Sequence, residues 1–120
     1  MSTRLTPRNA MMMVVFGAVL WFGAAMLLRT LVPMGALTAE WRMITYGLII
    51  PGTFPFVWLA QRITGAALPA VAVATAAATL LDGVALGWFP TLYGTDPLAA
   101  AAAILWGGGV GLALAWLIDR

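Results

Sequence analysis

The sequence predicts an all-α membrane protein, a four-span transmembrane helical bundle built as two antiparallel hairpins. Three observations carry that expectation. Of 120 residues, 63% are hydrophobic and 8% charged, and the mean hydropathy is +1.01; so few charges cannot clothe a water-soluble domain of this size. Apolar runs of roughly 18 to 21 residues recur at 10–28, 43–60, 69–89 and 98–118, each covering about 27 to 32 Å as a helix against a hydrocarbon core of about 30 Å. Nine of the ten charged residues fall outside these runs, and each break between them holds a proline or a glycine. Residues 1–9 read as a polar N-terminal arm, and 10–118 as a single transmembrane domain.

The composition also removes classes of chemistry. With no cysteine there is no disulfide or thiolate site, and with no histidine the commonest metal ligand and general base is missing. No catalytic, cofactor-binding or metal-binding constellation is visible, and no nucleophile–base pair. The pI near 10.0 comes from six scattered arginines and a net charge of +2. They read as anchors at membrane interfaces rather than as a nucleic-acid surface.

The arm MSTRLTPRN carries Arg4 and Arg8 ahead of the first span, 10–28. A signal peptide is the alternative for this start, but the apolar core is long for one and three further spans follow, which favours an uncleaved span. The connection RTLVPMGALTAEWR is the longest and the only one bearing both signs of charge. The second span, 43–60, holds Pro51 and Pro55 on one face. Their missing N–H groups free the carbonyls of Gly47 and Pro51, predicting a kinked or locally unwound helix. QRITGAAL then leads into the third span, 69–89. Pro90 ends it, and Gly94, Asp96 and Pro97 mark a tight loop before the fourth. LVPMG and GWFPTLYG end spans one and three alike, but little else repeats.

Arginine counting sets Arg4, Arg8, Arg62 and Arg120 against Arg29 and Arg42, favouring cytoplasmic termini, with dual topology open. Trp41 and Trp88 then fall at the outer interface and Trp58 and Trp116 at the inner one. Trp21 and Trp106 lie deeper, between helices.

Small residues let helix backbones approach closely in lipid. On the third span Ala72, Ala76, Thr79, Gly83 and Gly87 share an arc of about 80° at 100° per residue, with a Gly-x-x-x-Gly pair at 83 and 87. The fourth span offers Gly107 and Gly111 and five consecutive alanines. A tight hairpin of spans three and four explains both pairs, and a homodimer face is the alternative. GGGVG lacks the Lys-Ser/Thr and the preceding strand of a phosphate loop.

Asp82 is the one acid well inside an apolar run. An acid near a helix centre costs about 2.5 to 3.5 kcal/mol to insert, so it should face protein. Thr75 and Thr79 precede it on one polar strip. Arg29 or Arg42 could reach inward to pair with it, and Tyr46 could donate a hydrogen bond. Asp82 is then protonated, paired or hydrated. A clasp that fixes helix register outweighs a proton or cation site, because no second intramembrane acid or histidine is present to relay protons.

At LLDGVALGWFPTLYG, residues 80–94, the chain resembles a family of short bacterial four-helix membrane proteins known as a domain of unknown function. The likeness rests on Arg29 closing the first span in LLRT, the Leu-Leu-Asp step, and the loop Trp88-Phe89-Pro90. It implies a bacterial inner-membrane location and little about activity. Small multidrug exporters are similar in length and span count, but carry an acid in the middle of the first span, where 10–28 has none. Dual-topology fluoride channels are similar at Gly52-Thr53-Phe54, but the following Asn and a Thr/Ser-Phe break in the third span are absent. The expected function is that of an integral inner-membrane structural or accessory subunit, without cofactor or nucleic acid, partnered by lipid and by itself or a larger membrane complex. A small oligomeric transporter or channel using Asp82 is the alternative, with a lipid-directed enzyme third.

Overall fold

The computed structural model describes residues 5–119 and contains four α-helices: α1 Pro7–Leu31, α2 Arg42–Thr64, α3 Ala67–Trp88 and α4 Pro97–Asp119, with a 3₁₀ turn at Pro90–Tyr93. Arg4 and Arg120, which enter the charge count, and the first four residues of the arm lie outside the described residues. All four helices are long and apolar enough to span a membrane. At 22 to 25 residues, α1, α2 and α4 extend past their apolar runs at both ends, and α3 extends past its run at the N-terminal end only.

Local signals set the helix ends. Thr6 accepts the Asn9 N–H at 3.1 Å ahead of Pro7, and Asp96 accepts the Ala99 N–H at 3.1 Å ahead of Pro97. Each pairs a capping oxygen with a proline that needs no donor. Gly65, at φ 80°, closes α2 in the left-handed conformation. α3 has only Ala66 at its N-cap, and the cap comes from the far end of the chain. Asp119 accepts the Ala67 N–H at 3.0 Å and the Leu68 N–H at 2.6 Å, placing a carboxylate at the positive end of the helix.

α3 is the hub. α1 packs chiefly against α3 and only slightly against α2, so the pairing of the first two spans expected from their adjacency is minor. α2, α3 and α4 all pack on one another. The Cα envelope is 45 × 29 × 15 Å, a flattened bundle in which α1 is attached through α3. α1 and α3 come into close backbone contact at Gly17, where a Cβ would overlap the Ala74 carbonyl oxygen and lie 2.9 Å from the Ala74 Cα. α4 meets its neighbours through its glycines. A Cβ on Gly111 would stand 3.6 Å from Thr53 and 3.8 Å from Val71, and one on Gly107 would stand 3.9 Å from Ile49.

α2 runs as unbroken α-helix through Pro51 and Pro55, so of the kink or local unwinding expected there, the unwinding does not occur. Both prolines are exposed, and Ile49 and Thr53 on the packed face hold the segment against α4.

The small-residue stripe of α3 is also placed differently from the expectation. Ala72, Ala76, Thr79, Gly83 and Gly87 are all exposed, and a Cβ on Gly83 or Gly87 would meet nothing within 4 Å. The buried face carries Ala67, Ala70, Val71, Ala74, Asp82 and Ala85, roughly 160° round the helix from the stripe at 100° per residue. Both faces are rich in small side chains, and the bundle uses the one that also holds Asp82.

Two apolar clusters fill the ends. Met13, Val57, Ala60, Ala70 and Ala115 gather at one, and Ala25, Leu28, Leu37, Ala85, Tyr93, Ala100 and Ala103 at the other. Trp41 and Trp88 are exposed near the second end, and Trp58 and Trp116 near the first. The Arg62 guanidinium lies 5.3 Å from the Trp58 ring centroid, which extends the aromatic belt with a cation–π contact.

Candidate functional site

The site begins at the break after α3. Pro90 cannot continue the helix, and the 3₁₀ turn folds the chain back over its end. Gly94, at φ 105°, completes the reversal and lies against α1, where a Cβ would stand 3.5 Å from the Arg29 Cα. The positive φ is what favours glycine here, since a Cβ at that distance would make only ordinary contact. The reversal drives Tyr93 inward until its side chain is fully buried, among Ala25 and Leu28 of α1, Ala85 of α3 and Ala100 and Ala103 of α4. The alanine run of α4 leaves the space that the ring occupies.

There the Tyr93 hydroxyl donates to Asp82 Oδ1 at 2.5 Å and accepts from the Trp21 indole N–H at 3.0 Å. Trp21 to Tyr93 to Asp82 is therefore one directed hydrogen-bond chain joining α1, the 3₁₀ turn and α3. Burial, then the bond given to Asp82, push the Tyr93 phenol up to about 12, so it remains a donor at neutral pH. Among the described residues no buried side-chain nitrogen or oxygen lacks a hydrogen-bond partner, and in an apolar medium such completeness is required.

The other residues singled out from the sequence lie apart from this chain. Arg42 donates from Nε to the Leu37 carbonyl at 3.3 Å. Arg29 is exposed and lines a surface groove with Trp21, Val84 and Phe89. Tyr46 stacks on Trp106 with ring centroids 5.4 Å apart, and its carbonyl accepts the Trp106 indole N–H at 3.0 Å. Thr75 is half-buried toward Gly108, and Thr79 is exposed. The polar strip is thus divided, with Asp82 turned inward and Thr79 outward.

Sequence reasoning missed Tyr93 and Trp21 as the partners of Asp82. One signal was present: Tyr93 follows a Pro-initiated turn and precedes a glycine, a placement that returns a side chain toward the helix just ended. Trp21 had none, because its role depends on how α1 is docked.

Two surface grooves flank α1, and neither includes Asp82 in its lining. One lies along the start of α1, from Arg8 and Met12 to Phe16 and Ile63; the other runs beside Arg29. No family model, no curated protein and no solved structure matches this chain.

Proposed function

We propose that the chain is a small structural or accessory subunit of a larger membrane complex, resident in a bacterial inner membrane with both termini in the cytoplasm. The observation that carries this reading is the bond from Tyr93 to Asp82. It engages the sole acid inside a span in a joint between helices, a role that holds shape rather than moving a proton or an ion. The broad apolar exposure of a bundle only 15 Å deep across its Cα atoms gives further support, because much of each helix is free to meet lipid or other membrane helices. The open α3 stripe is the face best shaped for close packing. The membrane orientation rests on the excess of arginines on the side of the termini.

Purification from native membranes in gentle detergent, with identification of co-purifying chains, tests the reading. A reproducible larger complex is expected. Purified protein that alone carries out ion or solute flux in vesicles, lost in Asp82→Asn, would replace it with a transporter.

A further inference from the structure

We propose that the groove between α1 and the α3 corner seats one anionic phospholipid, with its phosphate on Arg29 and an acyl chain along Trp21, Val84 and Phe89. The groove has a volume of about 410 Å³, and its lining also includes Leu81 and Thr91. Its polarity is graded along the helix axis. Arg29 lies in the last turn of α1, and Trp21, eight residues earlier, lies about 12 Å deeper at 1.5 Å per residue. A cation at headgroup level above an apolar trough matches the amphipathy of a lipid lying beside the protein.

Charge complementarity selects an anion. Three of the four carboxylates are committed elsewhere: Asp82 to Tyr93, Asp96 to the Ala99 N–H, and Asp119 to the Ala67 and Leu68 N–H groups. Glu40 is exposed in the α1–α2 connection, and among the described residues Arg29 has no acidic partner. A guanidinium pairs with phosphate through two parallel N–H bonds. The groove is also held in shape, because Gly94 lies against the Arg29 backbone and the Tyr93 hydroxyl holds the lining residue Trp21.

Native mass spectrometry of the full chain in neutral detergent, titrated with phosphatidylglycerol or phosphatidylcholine of matched chains, tests this. Both lipids carry the phosphate, but the choline cation of phosphatidylcholine offsets its charge at Arg29, so the wild type should retain one phosphatidylglycerol with about tenfold preference. Arg29→Gln should bring the preference to parity. Val84→Trp, which fills the trough and leaves the charge, should weaken both lipids and keeps the test decisive should Arg29→Gln fail to fold. Arg62→Gln, at the opposite end over Trp58, should leave the preference intact. The proposal falls if Arg29→Gln keeps the preference, if Arg62→Gln removes it equally, if Val84→Trp binds both lipids as the wild type does, or if inorganic phosphate displaces the lipid completely.

Discussion

Tyr93 and Asp82 lie 11 residues apart, on either side of a helix break, and meet through a 2.5 Å hydrogen bond inside the bundle. The bond gives a buried acid its partner without a counter-charge. It also ties the 3₁₀ turn to α3 while the Trp21 indole ties the same oxygen to α1. The hydroxyl works in both directions, which an Arg in its place could not do, since a guanidinium only donates.

Removing that hydroxyl should cost more than altering the acid conservatively. Tyr93→Phe leaves Asp82 and the Trp21 N–H without their partner and should lower stability by about 1 to 2 kcal/mol, measured by thermal or steric-trap unfolding. Asp82→Asn retains an acceptor oxygen and should lose less, and Asp82→Leu should resemble or exceed Tyr93→Phe. Equal stability for all three variants would mean that the chain of bonds holds nothing together.

The same phenol gives the protein a window of alkaline sensitivity. In the unfolded chain it ionises near 10.0 and in the folded protein only at about 12. Between those values the native state keeps a proton that the unfolded state has released, so stability falls as pH rises through the window. Unfolding at graded pH should show this decline in the wild type and a shallower one in Tyr93→Phe. Superimposable profiles would count against a shielded phenol.

Substitutions at glycine should divide by face. Gly17→Leu forces α1 away from Ala74, and overpacking of this kind costs about 1 to 3 kcal/mol. Gly83→Ala and Gly87→Ala, whose added carbons meet nothing within 4 Å, should change the stability of the isolated chain by no more than about 0.5 kcal/mol. If those two alanine variants instead unfold the isolated chain, the placement of α3 is wrong. If they leave it stable but release co-purifying proteins, the open stripe is where the complex forms.

Asp119→Ala removes the cap that α4 lends to α3 and should destabilise by about 1 kcal/mol. Hydrogen exchange should quicken most at the amides of Ala67 and Leu68. Uniform protection there would show that water serves as well as the carboxylate.

Much of this protein is legible in the order of its residues. Four apolar runs broken by proline, glycine and charge dictate four helices, because backbone hydrogen bonds must close within each segment in lipid. Thr6-Pro7, Asp96-Pro97 and Gly65 mark helix ends locally, and the burial of Asp82 follows from the cost of exposing an acid to hydrocarbon. The tertiary structure alone decided what no local rule could rank. α3 offers small residues on opposite faces, and only docking of α1 at Gly17 selects the face with Ala74 and Ala85 and turns Gly83 and Gly87 outward. The partner of Asp82 was undetermined for the same reason. Arg29, Arg42 and Tyr46 were all within plausible reach, and the turn at Pro90 and Gly94 instead delivers Tyr93, because a buried carboxyl takes whichever donor the packing brings to it.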